Sequence, residues 1–440
     1  MAYKQVLVGD YFKFEKGLGY KGEFLVEDSE VALIGMDSHE EGGGYKEGSE
    51  KYYSGPFKEE HVAQIGDVIF AGTEQGFGLL GSPLIVPENE EIATYLFSGD
   101  VLKAVPLKPD EFSTEYLYNI YRVEKYRRKV AYGDTGTTVR RISNDNFAEQ
   151  FVPLPNLKTQ ESINEVISLI DQQIENNKSL AKNLEALAQA MFRSWFVDFE
   201  PVHAKARGEN PFGMDEETAA LFPDSFEESE NGLIPASWTW IEIQKLYDVA
   251  IGRTPPRKER EWFVPGGTSV SWVSIRDMGN FGLFTEKTSE DLTAEAVQKF
   301  RIPIVPQNSV LMSFKLTVGK LCIASEDLVT NEAIAHFKPS SKGIETPFCY
   351  FALKSMNMKN LESTSSIGVA TNSQYVKKIP ILYSSIEVIN KFHHHIGPIM
   401  ERIFVTSKNT KSMINLREAL LSDLISGKAD LLEGIHHDAE

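Results

Sequence analysis

The chain has 440 residues, 42% hydrophobic and 25% charged, a composition that supports about two to four packed domains and excludes global disorder or a collagen-like repeat. Two cysteines exclude a disulfide scaffold and a thiolate metal cluster and fit a reducing compartment. A net charge of −18 argues against a protein that coats nucleic acid indiscriminately, while leaving a site-specific binder with a local basic surface possible.

In chain order, the start lacks the apolar stretch of a signal peptide, and no run of about 18 apolar residues follows, so a cytoplasmic protein without a membrane span is expected. Residues 1–156 mix short β-rich runs with turn clusters such as Glu40-Glu-Gly-Gly-Gly-Tyr45 and predict a mixed α/β globule. A long helix is predicted next, over 157–202. Ile163, Ile167, Ile170, Ile174, Ala181, Leu184, Ala188 and Met191 form a 3-4 heptad stripe across Asn177, which either fixes register or faces solvent; Leu180 and Leu187 widen the stripe. Forty helical residues span roughly 60 Å, more than a small globule needs.

Residues 203–235, rich in Pro, Gly, Asp and Glu, read as a linker. A second mixed α/β globule is predicted over 236–382. A second long helix is predicted over 383–430, with Ile389, Phe392, Ile396, Ile399 and Ile403 repeating the 3-4 spacing. Pro398 lies inside it and should kink or interrupt it; Gly427 is a plausible stop. Residues 431–440 read as a tail. Shifting the first helix by 226 superimposes Ile163 on Ile389 and Ile170 on Ile396, and similar strands precede both helices (Phe151-Val-Pro-Leu-Pro155 and Lys378-Ile-Pro-Ile-Leu382). The chain therefore reads as a duplicated globule–helix unit: two globules separated by two long helices that form an antiparallel coiled coil.

Several segments carry a resemblance. Arg193-Ser-Trp-Phe-Val-Asp-Phe-Glu-Pro-Val202 closes the first helix, Leu416-Arg-Glu-Ala-Leu-Leu-Ser-Asp-Leu-Ile-Ser-Gly427 closes the second, and Ile234-Pro-Ala-Ser-Trp238 opens the second globule. With Lys16-Gly-Leu-Gly-Tyr-Lys-Gly22, Gly252-Arg-Thr-Pro-Pro-Arg257, Trp272–Met278 and Ser313–Lys320, their order along nearly the whole chain resembles the specificity subunit of type I restriction–modification systems. The resemblance implies that each globule is a target-recognition domain for one half of a bipartite double-stranded DNA target. It further implies that the helices act as spacer and dock DNA methyltransferase subunits, and that a restriction–translocase subunit joins them. Catalysis, and with it S-adenosylmethionine, ATP and Mg, would then belong to the partners, with no cofactor in this chain. The alternative is a scaffold or recognition subunit of a different phage-defence complex.

DNA contact needs polar and basic side chains on exposed loops. In the first globule the candidates are Thr137, Thr138, Arg140 and Arg141 in a Gly–Thr loop, and Arg127 and Arg128 in the basic run Lys125–Lys129, which reads equally as a solvated helix face. In the second they are Arg253, Arg257 and Lys258; Ser313, Lys315, Thr317 and Lys320, which alternatively flank a strand; and Thr371 and Asn372 ahead of the second helix. Trp195 and Phe196 are candidate partner-docking anchors, or else they cap the local core. No Gly-x-x-x-x-Gly-Lys-Ser/Thr phosphate loop and no Asn/Asp-Pro-Pro-aromatic methyltransferase motif is present. His393-His-His395 are consecutive, so on a helix they point about 100° apart and do not converge as metal ligands.

Overall fold

The computed structural model describes residues 3–74, 78–131, 140–315, 317–339, 344–356 and 373–429. Two helices dominate it, Leu157–Phe196 with 40 residues and Ile386–Ser426 with 41. The chain divides into two compact units, Met1–Glu175 with Lys411–Glu440, and Asn176–Thr410. Each long helix therefore contributes one end to each unit.

In the first unit, strand Lys4–Leu7 pairs antiparallel with Phe151–Leu154, the strand that leads into the first long helix. The central sheet takes its strands in the order Phe12–Lys16, Val101–Pro106, Val68–Ala71, Pro83–Ile85, all antiparallel. A second sheet is built around the parallel pair Val31–Ile34 and Thr94–Phe97. The second unit repeats this plan. Strand Thr239–Glu242 pairs with Pro380–Tyr383, which leads into the second long helix. Its central sheet runs Asp248–Ile251, Ile334–Lys338, Val310–Ser313, Leu321–Ile323, again antiparallel. Numbered along the chain, both central sheets have the order 1-4-2-3, and each is followed by a nine-residue helix, Thr114–Arg122 in one and Thr346–Lys354 in the other. The parallel pair recurs as Val270–Val273 with Val329–Thr330.

The duplication is thus structural, but its register is 229, not the 226 read from the helical stripe. The long helices open at 157 and 386, the strands before them at 151 and 380, and the short helices before those at 144 and 373. A 3-4 stripe nearly superimposes on itself after a shift of three, so the apolar pattern alone does not fix the register. In the structural register Ile163 corresponds to Phe392, Ile167 to Ile396 and Ile174 to Ile403, and all six are buried.

Each end of a long helix is buried against the opposite end of the other. Ile163 and Ile167 share the first unit's core with Leu421, Leu424 and Ile425. Ala188, Phe192, Trp195 and Phe196 share the second unit's core with Ile389, Phe392, Ile396 and Ile403. The pairing is therefore antiparallel. The second core takes Phe192 rather than the predicted Met191, which with Leu184 and Ile399 is only partly buried, as is Ile170. Leu180 and Leu187, seven positions apart on one face, point outward with 37% and 51% exposure.

Pro398 does not end the second long helix. It lies exposed between buried Ile396 and Met400, so packing on either side outweighs one missing backbone hydrogen bond. The helix stops at Gly427 (φ 70°), where the amides of Gly427 and Lys428 donate to the carbonyls of Leu424 (3.2 Å) and Asp423 (3.0 Å), a Schellman cap. The predicted linker 203–235 is instead folded. Helix Glu200–Ala206 runs into it; it contains helix Glu216–Ala220 and the hairpin Phe226–Ser229/Gly232–Pro235, and it buries Phe222 and Ile234 in the second core. Its polar composition hid these few anchors.

Trp195 and Phe196, offered as docking anchors or core caps, fill the second core. The two residues are 7% and 4% exposed, and their rings pack against Phe222, Trp238, Phe348 and Phe392. Truncating such an aromatic costs roughly 3–5 kcal/mol, so Phe196→Ala is expected to lower the melting temperature of the chain whether or not any partner is present. A variant with unchanged melting that only weakened partner binding would restore the docking role.

Helix Thr114–Arg122 is fastened to both long helices by one carboxylate. Asp171 accepts two bonds from Arg122 (2.6 and 2.8 Å) and one from Arg417 (2.8 Å). Burial pushes the Asp171 pKa up, but the two guanidiniums outweigh burial and hold it below its ordinary 3.8. A depressed carboxylate contributes stability above its ordinary pKa and loses it as pH falls through the folded value. Asp171→Asn leaves the buried Arg122 uncompensated and should destabilise the chain by about 3 kcal/mol at pH 7. The deficit should shrink progressively as pH falls below the ordinary 3.8, where the unfolded chain takes up the proton first, and close only once pH passes the lower folded value; a series of melting curves from pH 7 downward tests this, and a deficit independent of pH would refute it.

Candidate nucleic-acid interface

In the first unit the basic run folds as helix Glu124–Ala131. Arg127 is committed to the fold: its Nη1 donates to the carbonyls of Gly42 (3.3 Å), Tyr121 (3.0 Å) and Arg122. It supports the glycine loop around Gly42–Gly44, where a side chain at Gly43 (φ 114°) would collide with Arg122. Arg128 is exposed and pairs with Glu124 at 2.6 Å across one helical turn. Lys125 and Lys129 both lie over the Tyr126 ring, at 5.6 and 5.5 Å. Arg140–Arg141 forms a short strand against Thr73–Glu74, with Arg141 exposed. Thr137 and Thr138 lie outside the described residues, as do Thr371 and Asn372 in the second unit.

In the second unit the segment from Gly252 is tied down as a strap. Gly252 must be glycine, since a Cβ there would lie 2.1–2.3 Å from Thr330 and Asn331. Arg253 Nη1 donates to the Phe300 carbonyl (2.8 Å), and Thr254 hydrogen-bonds Glu332. Arg257 pairs with Glu290 (2.6 Å) and covers the rings of Phe263 and Trp272 at 4.4 and 4.5 Å. These two arginines therefore divide their guanidinium groups between holding the strap and facing solvent. Lys258 and Arg260, beyond the last tie, are exposed and have no side-chain ion pair or hydrogen bond within the described residues.

Ser313 is fully buried, so it offers no surface to DNA. It builds the turn instead: its hydroxyl donates to the Thr317 carbonyl and accepts from the Lys320 amide (3.0 Å). The turn displays Thr317 and Lys320 to solvent, with Lys320 Nζ 3.5 Å from the Gly279 carbonyl, while Lys315 is half-buried beside Phe314. Gly279 belongs to helix Ile275–Asn280, which also carries the exposed Arg276. Arg276 and the exposed Lys287 are not among the sequence candidates, since neither sits in a basic or glycine-rich run. The polar loops around them are organised by buried carboxylates. Asp277 binds the amides and hydroxyls of Ser274 and Ser289 (2.7–3.0 Å). Asp291 binds the Thr268 and Ser269 amides (2.9 and 2.8 Å) and the Thr288 hydroxyl (2.6 Å), and these donors overcome burial to keep its pKa low.

The loops carry exposed cations over a framework of buried carboxylates. Among the described residues no group of three His, Cys, Asp or Glu side chains could hold a metal ion, and no helix is long and apolar enough to cross a membrane. His393 faces Glu345 rather than converging with His394 and His395.

Comparison with known proteins agrees with the duplication. The chain is 28% identical over 346 residues to the HindI type I restriction enzyme specificity subunit of Haemophilus influenzae, covering 69% of this chain and 74% of that one. It is 22% identical over 326 residues to the MjaIX specificity subunit of Methanocaldococcus jannaschii, covering 72% and 70%. The crystal structure of a type I restriction–modification S subunit from M. genitalium aligns over 98% of this chain and 96% of that one with a TM-score of 0.53 at 15% identity, a likeness of fold. The model of the type I restriction modification DNA specificity domain matches twice, over residues 49–186 and 235–411. With one match on each half, together spanning more than half of the sequence, the chain belongs to the family of type I restriction–modification specificity subunits.

Proposed function

We propose that each globule reads one half of a split DNA target, that the paired helices set the unread gap between the halves, and that DNA adenine methyltransferase subunits dock on those helices. The activities of a type I system reside in partner subunits; S-adenosylmethionine, ATP and Mg are assigned to them, and a restriction–translocase subunit completes the assembly. The observation that carries this reading is the repeated 1-4-2-3 sheet, each copy leading through one short strand into a long helix. Two copies of one reader suit two DNA segments, and readers on one face of B-DNA lie about 34–36 Å apart, a distance that helices of 40 residues can span. The outward Leu180 and Leu187 take the docking role first given to Trp195 and Phe196.

Within the globules, Lys258, Arg260, Arg276, Lys287, Lys320 and Arg141 are the leading DNA contacts, since all are exposed. Arg140, Thr137, Thr138, Thr371 and Asn372 remain candidates from the sequence, and Arg128, Arg253, Arg257, Lys315 and Thr317 are secondary. The test is a genome-wide map of methylated adenines with the gene intact and deleted. A motif of two short blocks around a fixed gap should lose methylation on deletion; identical maps, in cells where the methyltransferase is present, would overturn the reading. Lys258→Ala in the assembled complex should weaken binding to cognate and non-cognate duplexes alike and reduce the slope of log affinity against log salt by about one, as expected for one lost phosphate contact. Loss confined to the cognate duplex would instead make Lys258 a base reader.

A further inference from the structure

The two globules are seated on their long helices by different chemistry. In the first, a polar ladder joins helix Thr114–Arg122 to the start of the first long helix. The Ser113 amide donates to Gln160 Oε1 (2.9 Å), and Gln160 Nε2 donates to the carbonyls of Glu111 (2.9 Å) and Pro155 (3.0 Å). Asn164 donates to the Ser113 hydroxyl (3.3 Å) and accepts from Asn119 Nδ2 (3.0 Å); Arg122 then bridges Asn119 (3.3 Å) and Asp171. Gln160 is fully buried, and Asn119, Asn164 and Arg122 are 2%, 5% and 8% exposed. Positions 160, 164 and 171 fall on one face of the helix, and 113, 116, 119 and 122 on one face of its neighbour. The rungs rise together, so the two helices run in the same direction.

In the second globule the corresponding positions, 229 along the long helix and 232 along the short one, are mostly apolar. Gln160 becomes Ile389, Asn119 becomes Phe351 and Asp171 becomes Met400, all in one apolar core. Among the described residues one rung survives, with Glu345 and His393 at the places of Ser113 and Asn164. Lys354, at the place of Arg122, turns instead to Glu185. Apolar contacts tolerate sliding and repacking, whereas hydrogen-bonding groups in a dry interface are satisfied in one alignment and costly in any other. A single buried Asn fixes register in a coiled coil for the same reason.

We infer that Gln160, Asn164 and Asn119 are positioning residues that fix the first globule in one register on its helix and thereby enforce a single gap length in the DNA target. The inference rests on the proposed reading of a split target. The test uses the chain assembled with its methyltransferase, and duplexes carrying the motif from the methylation map with the natural gap or a gap one base pair longer or shorter. Wild type should methylate only the natural gap; wild type that methylates no bipartite duplex refutes the proposed function itself. Asn119→Leu with Asn164→Leu keeps similar side-chain volumes in an apolar seat. It should melt within a few degrees of wild type, yet discriminate between gaps at least tenfold less well. Gap discrimination as strict as wild type in the folded variant overturns the inference and leaves the proposed function standing. Should the double variant lose its melting transition, Gln160→Met must show the same relaxation to a smaller degree, and strict discrimination there overturns the inference equally.

Discussion

A 40-residue amphipathic helix cannot bury its own stripe. Burial of apolar surface is worth about 25 cal/mol per Å², and an isolated helix in water gains none of it. Here the stripe is covered in two instalments by different partners. Ile163 and Ile167 enter one core, Phe192 and Phe196 another, and in each the antiparallel partner helix supplies the facing residues. The long helices are thus not appended to the globules. They are structural members of both cores, and the strands that lead into them, Phe151–Leu154 and Pro380–Tyr383, close each globule onto its own first strand.

The parts of this plan legible in the sequence are those with strong periodicity or repetition. Two long helices and a duplication followed from a 3-4 stripe occurring twice. The register did not, because the stripe nearly matches itself after a shift of three; only the strands and short helices that precede it decide between 226 and 229. The polar ladder was equally invisible. Gln160 continues the 3-4 spacing of the stripe as a polar residue and Asn164 stands beside it, but nothing local marks either as buried, and their partners Ser113 and Asn119 are more than forty residues away. Residues 203–235 misread for a related reason: average composition conceals a few buried anchors such as Phe222 and Ile234.

Among the candidate DNA contacts, residue type alone does not separate side chains held by the fold from those left to solvent. Arg127 and Ser313 have the side chains of a DNA contact, yet one holds backbone carbonyls and the other is sealed inside a turn. Arg257 is divided between Glu290, two aromatic rings and solvent. Conversely, Arg276 and Lys287 gain interest only because folding brings loops together around Asp277 and Asp291. Cations with no internal task are the ones an incoming phosphate meets without first breaking a protein contact, and that distinction exists only in three dimensions.

The antiparallel return of the chain also governs how it is made. The first unit's core is completed by Leu421, Leu424 and Ile425, within the last turns before the Gly427 cap. During synthesis the first globule leaves Ile163 and Ile167 uncovered until residues 421–425 have left the ribosome. The second globule draws its core from residues between 188 and 403 and can consolidate earlier. Domains commonly fold in order of emergence; here the order is reversed, and a chain truncated before its final helical turns would hold a finished second globule beside an unfinished first.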